Sequence, residues 1–513
     1  MGRVGTSRRV VVALTALVAV AAPAIPAFAA PGDPPSPPSG KNQPSGSRAP
    51  SRSSQPPSSS AQPTRPQGPT EAGPLPNNPP PVQHSQLPPP TTPHPDASYH
   101  MDPQCVTSNV RGPDLPDRPW AQNTLQIDDV HKFVTGAGEK VAVIDTGVND
   151  KNPFFQDRVS GGGDYVTNED GLRDCDGHGT IVAGIIAANT HPGGGNPNIG
   201  FDGMAPDASI VSIRQTSQYY KVGDSNTAPT AGTVATLAQA VSYAASVPNV
   251  HAINISLISC VSKNRPSVPA DYHKLQAAVD YAVNTKNVVV VAAAGNVDPS
   301  GSGCTQQNDN PNPNELNSIP LPPWFADNVL SVASIDRNGD PSSFSIAGPW
   351  VSVAAPGEDI ISLDPAGNSL VNQRSESPNG QPGPIQGTSF AAPYVTGLVA
   401  LVRQKYPDLD ARQVIHRIEA TAQHPADAGG RNDQVGYGRI DPIAALTAVI
   451  PGEGGVARAK AEQLPANIPP PYEKNWTPTV VALAGTGAGL GLLLLTVFVM
   501  RTVQRNRRRR AAG

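Results

Sequence analysis

One candidate nucleophile in the chain is Ser389, in a glycine-led turn before small apolar residues that predict a helix over 394–402. A serine hydroxyl is a weak nucleophile at neutral pH, so it needs an adjacent base and donors for the oxyanion that its attack creates. A serine at a helix start offers a backbone N–H that the helix leaves unused, near the positive end of the helix dipole. The same Gly-Thr-Ser sequence also caps ordinary buried helices, so other polar residues decide between the two interpretations.

Three other polar side chains lie in glycine-flanked turns: Asp145, His178 and Asn296. Asp145 follows a continuous apolar run, as expected at the carboxyl end of a buried parallel strand. His178 lies between two glycines ahead of an apolar helix, so other groups can approach its ring. Asn296 ends another apolar strand, either as a turn residue or as an amide donor to a developing oxyanion. Together with Ser389, these residues favour catalysis by an activated serine.

Alternating strands and helices must hold these four side chains in place. The apolar patterns predict strands over 140–148, 209–213, 250–258, 288–294, 329–335 and 350–354, and helices over 181–189, 233–245, 275–283, 411–422 and 442–449. Such alternation is typical of a three-layer α/β fold, in which a parallel sheet carries helices on both faces. Catalytic residues of such sheets gather at the carboxyl ends of the strands. We expect one domain of this kind over 119–450.

Both ends of the chain have membrane-related patterns. Residues 1–30 combine arginines, an apolar run and an Ala-Phe-Ala sequence, which is typical of an export signal peptide. An early arginine pair leaves twin-arginine export as the alternative to the general route. Residues 480–500 are apolar, uncharged and long enough to span a bilayer, and the basic segment 501–513 favours a cytoplasmic tail. We therefore expect a cell-membrane protein with one C-terminal span and an extracytoplasmic domain.

Proline-rich segments connect the domain to these ends. Residues 31–100 contain proline, serine, glycine and glutamine with almost no apolar residues, which predicts a disordered arm. A spacer and a docking segment are both compatible with this composition. Residues 101–118 regain apolar side chains, so we expect an extension packed on the domain. Residues 451–479 form a proline-rich linker to the predicted span.

The four cysteines, Cys105, Cys175, Cys260 and Cys304, indicate two disulfides in an exported chain, and three pairings are open. Metal binding is the alternative, but the chain has neither a C-x-x-C sequence nor a neighbouring histidine pair. We therefore expect no metal and no cofactor.

Charge gives less information about function. The formal net charge of -4 gives no indication of nucleic-acid binding. The carboxylates of Asp164, Glu169 and Asp170 are candidates for holding a calcium ion, but we expect them to form the solvated face of a loop.

Four sequence blocks, VAVIDTGV, DGHGT, AAGN and GTSFAAPYVTG, resemble the active-site blocks of the subtilisin-like serine peptidases, within a similarity that covers about 119–450. The resemblance implies that Ser389 attacks the scissile carbonyl, His178 transfers its proton and Asp145 orients the imidazole. It also implies that Asn296 and the Ser389 backbone N–H hold the oxyanion.

The resemblance extends to a substrate-binding segment, here Ser256-Leu257-Ile258. In the family the strand here spelled Asn254-Ile255-Ser256-Leu257 pairs with the backbone of an extended polypeptide. Many relatives have glycine where this chain has Ile258, so we expect the adjoining subsite to differ in shape.

The wider layout resembles a narrower group, the mycosins of actinobacterial type VII secretion systems. The likeness rests on the signal peptide, a Pro-Trp-Ala-Gln sequence, the cysteine positions and the single C-terminal span with its basic tail. It implies the pairs Cys105–Cys175 and Cys260–Cys304, and hence an extension fastened close to His178.

The resemblance supports two functions. One is a membrane-anchored serine endopeptidase that cuts extracytoplasmic proteins; the other is mainly a structural subunit that stabilises a secretion membrane complex. A third hypothesis, anchoring to the cell wall through the proline-rich arm, rests on composition alone.

Overall fold

The computed structural model describes residues 77–101, 104–106, 117–191, 199–223, 228–262, 267–298, 304–308, 316–375, 381–453 and 477–510. The signal peptide, residues 31–76 of the arm, most of the linker and the end of the basic tail lie outside the described residues. The predictions for those segments stay predictions.

The described strands and helices follow the predicted alternation. The strands are β1 (His100–Met101), β2 (Lys140–Asp145), β3 (Val159–Asp164), β4 (Ser209–Arg214), β5 (Ser217–Lys221), β6 (Thr230–Ala231), β7 (Val250–Ile255), β8 (Ser259–Ser262), β9 (Val289–Ala293), β10 (Ser318–Leu321), β11 (Leu330–Ile335), β12 (Val353–Pro356), β13 (Ser362–Leu363), β14 (Leu370–Val371), β15 (Gln373–Arg374) and β16 (Gly383–Pro384). The helices are α1 (Trp120–Thr124), α2 (Ile127–Val130), α3 (His178–Ala187), α4 (Val234–Ala244), α5 (Ala270–Asp280), α6 (Thr388–Lys405), α7 (Ala411–Thr421), α8 (Pro442–Thr447) and α9 (Thr477–Arg510).

A seven-stranded sheet in the order β12-β11-β9-β7-β2-β4-β3 forms the centre of the domain. All its pairings are parallel. Its strands are apolar and buried because α3 and α6 pack on one face while α4 and α5 pack on the other. The predicted three-layer α/β fold is confirmed.

The edge strand β3 is absent from the sequence prediction, because its Ser-Gly-Gly-Gly-Asp sequence is typical of a turn. The close approach of β4 explains the glycines. A Cβ added at Gly162 would lie 2.5 Å from Val211 Cγ1 and 2.8 Å from Ile213 Cγ1. A larger residue there would therefore push the edge strand away from the sheet.

Two element boundaries near the predicted site also differ from the prediction. The strand predicted over 250–258 ends at Ile255, so Ser256-Leu257-Ile258 follows the strand instead of belonging to it. The helix predicted over 394–402 is α6, which begins at Thr388 and includes Ser389. Pro393 lies inside this helix, where a sequence pattern would normally end it.

Residues 77–100 correct the prediction of a disordered arm that reaches residue 100. This segment lies on the α/β domain, where the Pro80 and Pro88 carbonyls accept hydrogen bonds from the Gln276 and Ser242 side chains at 2.6 and 2.7 Å. Its last residues form β1, which pairs antiparallel with β5. A proline-rich chain has no core of its own, but its free carbonyls accept hydrogen bonds from a folded surface, which composition alone does not reveal.

Two disulfides join Cys105 to Cys175 and Cys260 to Cys304, the pairing that the resemblance implies. The first fastens the extension close to His178, since Cys175 lies three positions before that residue. The Val106 N–H also donates to the Cys175 carbonyl at 2.8 Å.

The C-terminal helix α9 contains the predicted span. By length and composition, Val480–Arg509 is long and apolar enough to cross a membrane. The helix continues through the basic residues to Arg510, beyond the predicted boundary at residue 500.

Candidate active site

The first two site residues lie on a strand of the sheet and on a helix that packs against it. Asp145 ends β2 and is wholly buried, and His178 is the first residue of α3. His178 Nδ1 lies 2.7 Å from Asp145 Oδ1, which also accepts a hydrogen bond from the Thr146 N–H at 2.8 Å. Because an ionised carboxylate only accepts, this contact places the imidazole proton on Nδ1 and leaves Nε2 as the basic nitrogen.

A second carboxylate, the half-buried Asp174, joins the turns that carry this pair. It accepts hydrogen bonds from Thr146 Oγ1, the Gly177 N–H and both the N–H and the hydroxyl of Thr180, at 2.6 to 2.8 Å. Burial raises the pKa of Asp174, although these donors oppose the shift. The sequence analysis missed this residue, since its role depends on contacts between two turns.

The glycine after His178 allows the two turns to meet. A Cβ at Gly179 would lie 2.0 Å from the Gly147 carbonyl oxygen and 3.1 Å from Asp145 Cβ. Any side chain there would separate the histidine from its carboxylate.

Ser389 is the second residue of α6 and is almost buried, with 8% of its surface exposed. Pro393 has no N–H to donate to the Ser389 carbonyl, four residues earlier in the helix. The Ser256 hydroxyl takes that place, donating to the Ser389 carbonyl at 2.7 Å. The Ser256 side chain therefore supports the serine helix, and its backbone is what remains for a substrate.

No hydrogen bond joins Ser389 Oγ to the His178 ring among the residues described. Both side chains line the same open cleft. Contacts of this kind are often long until a substrate closes the site.

The amide of Asn296 is held in one orientation by Thr388. Asn296 Oδ1 accepts hydrogen bonds from the Thr388 N–H and hydroxyl, both at 2.9 Å, so Nδ2 points elsewhere. Gly387, at φ 146°, leaves room beside it: a Cβ there would lie 3.1 Å from Ser389 Oγ and 3.3 Å from Asn296 Nδ2. Nucleophile and amide donor thus border one small space, as an oxyanion site requires.

A cleft of about 840 Å³ brings the predicted site residues together. His178, Ser389, Asn296 and Ser256-Leu257-Ile258 all line it, whereas Asp145 lies buried behind His178. Another part of the cleft wall is formed by Thr230-Ala231-Gly232, around β6. The sequence analysis missed this wall because a two-residue strand has no detectable periodicity.

Three further side chains in or beside the cleft carry charge or an aromatic ring. Asp176 accepts hydrogen bonds from the Ser217 hydroxyl at 2.6 Å and the Gln218 N–H at 2.7 Å, and burial raises the pKa of Asp176 to about 6. The Phe390 ring lies 5.1 Å from the His178 ring, centroid to centroid. The guanidinium carbon of Arg374 lies 5.7 Å from the Phe390 centroid.

Asp164 corrects the expectation of a solvated acidic loop. It is wholly buried and forms an ion pair with the equally buried Arg214 through Oδ2, while Oδ1 accepts from Arg214 Nε at 2.9 Å. The guanidinium thus supplies the positive charge that a cation would bring. Within the described ranges, no group of three or more His, Cys, Asp or Glu residues has an arrangement that could hold a metal ion.

Comparison with known proteins identifies the family of the chain. Residues 136–438 match the subtilase family, Peptidase S8. Mycosin-1 of Mycobacterium tuberculosis is 44% identical over 435 residues, covering 81% of this chain and 92% of the relative. The crystal structure of MycP1 from Mycobacterium smegmatis superposes with a TM-score of 0.64 at 40% identity, covering 76% of this chain and 100% of that one.

A chain in the structure of an intact ESX-5 inner membrane complex is also similar. It superposes with a TM-score of 0.65 at 38% identity, covering 83% of this chain and 100% of that chain. The chain therefore belongs to the subtilase family of serine peptidases and, within that family, to the mycosins.

Proposed function

We propose that this chain is a membrane-anchored endopeptidase in which Ser389 is the nucleophile, His178 the general base and Asp145 the residue that orients the imidazole. The observation that carries the proposal is the 2.7 Å contact between His178 and the buried Asp145, beside the cleft that Ser389 and Asn296 also line. The family membership makes peptide-bond hydrolysis the reaction.

The proposed proton path follows from this contact. Nε2 of His178 takes the Ser389 proton as the hydroxyl attacks the scissile carbonyl, and later delivers it to the leaving amine. Asp145 stabilises the imidazolium through Oδ1, and its Oδ2 has no hydrogen-bond partner among the described residues. Nδ2 of Asn296 and the Ser389 N–H donate to the oxyanion, in the orientation that Thr388 fixes.

An extended polypeptide is the substrate class that fits the cleft. Thr230-Ala231-Gly232 and Ser256-Leu257-Ile258 form its two walls, each with backbone groups that an added strand could use. Ile258 narrows one end, because a Cβ on Gly295 would lie 3.3 Å from Ile258 Cδ1. We infer that the side chain before the scissile bond must be small.

We also propose that the peptidase domain lies outside the cytoplasm as a subunit of a type VII secretion membrane complex. Two supports are the apolar helix over Val480–Arg509 and the similar chains in the intact ESX-5 inner membrane complex and in its periplasmic assembly. In this role the chain would stabilise the complex as well as cut proteins.

The decisive experiment compares wild type with Ser389→Ala on peptides that have alanine or leucine before the scissile bond. We expect Ser389→Ala to lower kcat by about 10⁶-fold, as loss of a triad serine does in subtilisin, and wild type to prefer alanine. Ser160→Ala, at an exposed serine outside the cleft, is the matched control and should leave cleavage unchanged. Wild-type rates in Ser389→Ala would overturn the assignment of the nucleophile.

The structural role is tested by complementing a deletion strain with the same two variants and analysing the membrane complex on native gels. If Ser389→Ala restores the complex without cleavage, scaffolding is separate from catalysis. If the complex assembles without this chain, the structural role is wrong.

A further inference from the structure

Arg374 differs from the other arginines of the peptidase domain. Every other arginine described between residues 117 and 453 has a hydrogen-bond or ion-pair partner, such as Asp164 for Arg214 and Asp359 for Arg337. Among these described residues, Arg374 makes no hydrogen bond or ion pair through its side chain. Its guanidinium carbon lies 5.7 Å from the centroid of the Phe390 ring. A cation–π contact at a partly exposed site leaves most guanidinium donors available.

Arg374 contributes to the catalytic cleft rather than to the outer surface. It lines the cleft together with His178 and Ser389. Asp176, a carboxylate in the same lining, already accepts hydrogen bonds from Ser217 and Gln218. Arg374 is therefore a cation in the substrate cleft that no described carboxylate neutralises.

Its position points to the leaving-group half of the cleft. Phe390 packs on His178, which must deliver a proton to the leaving amine. Arg374 lies on the Phe390 ring, one side chain beyond His178. Since an extended chain advances roughly 3.3 Å per residue, we place Arg374 opposite the second or third residue after the scissile bond.

We propose that Arg374 is a specificity-determining residue that binds an acidic side chain in the two or three substrate residues after the cleaved bond. This inference rests on the proposed endopeptidase function. A guanidinium presents its N–H groups in a planar fork that matches a carboxylate, so glutamate or aspartate is the favoured ligand. If Arg374 served only to pack against Phe390, its loss would affect all substrates equally.

The test uses peptides that are identical except for Glu, Gln or Lys at the second and third positions after the scissile bond. For wild type we expect kcat/KM to be roughly tenfold higher with Glu than with Gln, and lowest with Lys. Arg374→Gln should remove the difference, and Arg374→Glu should reverse it in favour of Lys. The preference should weaken in high salt.

Arg337→Gln is the matched control, because Arg337 also lies 5.7 Å from an aromatic ring, that of Trp120, but outside the cleft. It should keep the wild-type preference. Equal wild-type rates for Glu and Gln peptides, or an equal loss for all peptides in Arg374→Gln, would overturn the proposal.

A binding experiment separates this inference from the proposed function. Fluorescence anisotropy of the labelled peptides with Ser389→Ala should show tighter binding of the Glu peptide, lost in Ser389→Ala/Arg374→Gln. Failure of wild type to cleave any peptide would contradict the endopeptidase proposal, while equal binding of the Glu and Gln peptides would contradict only the role of Arg374.

Discussion

Asp145 and Asp164 are both wholly buried carboxylates at the carboxyl ends of strands in one sheet, but their surroundings differ. Asp164 accepts hydrogen bonds from Arg214 and from the Val166, Thr167 and Glu169 N–H groups, among others. Asp145 has the Thr146 N–H and the His178 ring, and its Oδ2 has no hydrogen-bond partner among the residues that the structure describes.

The difference lies in the partner of each charge. Arginine stays protonated throughout the useful pH range, so the Asp164 pair has a constant charge and contributes to folding. In the proposed mechanism His178 takes up and releases a proton in each turnover, so the charge of the Asp145 pair would change. We therefore assign Asp145, whose partner is a histidine, to the proposed catalysis and Asp164, whose partner is an arginine, to stability.

We expect the largest effect from Asp145→Asn. The amide keeps an acceptor for one neighbour but no longer stabilises the imidazolium or the required tautomer, so we expect kcat to fall by about 10⁴-fold. Peptide cleavage measures this effect, and urea unfolding should report a smaller loss of stability than for Asp164→Asn. A variant that retains a tenth of wild-type activity would show that Asp145 is not the orienting carboxylate.

The converse variant is Asp164→Asn, which leaves the buried Arg214 without its counter-charge. We expect the free energy of unfolding to fall by about 3 to 5 kcal/mol while the cleavage rate of the folded protein changes little. Glu169→Gln is the matched control, because Glu169 lies 3.4 Å from the same guanidinium but is 43% exposed. Its loss should be below about 1 kcal/mol; equal losses would contradict the importance of burial.

The same pair predicts a pH dependence. Burial alone would raise the pKa of Asp164, but the Arg214 hydrogen bonds and charge hold it below its ordinary value. The stabilisation is therefore complete at neutral pH and is lost as the pH falls below about 4, through the lowered folded-state pKa. The difference between wild type and Asp164→Asn should disappear under such acid conditions.

We expect the smallest effect from Asp176, where burial raises the pKa from 3.8 to about 6. Between these values the folded state binds more protons than the unfolded state, so stability falls as the pH rises. Asp176→Asn removes this ionisation and should gain stability relative to wild type between pH 4 and pH 7. Parallel melting temperatures across this range would contradict the raised pKa.

The site residues were easier to predict than their supports. Asp145, His178, Asn296 and Ser389 each lie in a short glycine-marked sequence, so the local sequence singles them out as candidates. Thr388, Asp174 and the Thr230-Ala231-Gly232 wall act through neighbours distant in sequence, and no local pattern indicates those contacts. The fold shows the same division: buried strands such as β2 were predicted, whereas the glycine-rich β3 depends on its packing against β4.

The Cys105–Cys175 disulfide determines whether a cut in the extension would release the amino-terminal piece. Residues 77–101 lie along the domain and precede Cys105 in the sequence. A cut in the backbone between Cys105 and residue 117 would therefore leave the amino-terminal piece covalently attached. Such a nicked molecule would migrate as one band on a non-reducing gel and as two after thiol treatment, so processing of the extension is invisible unless the sample is reduced.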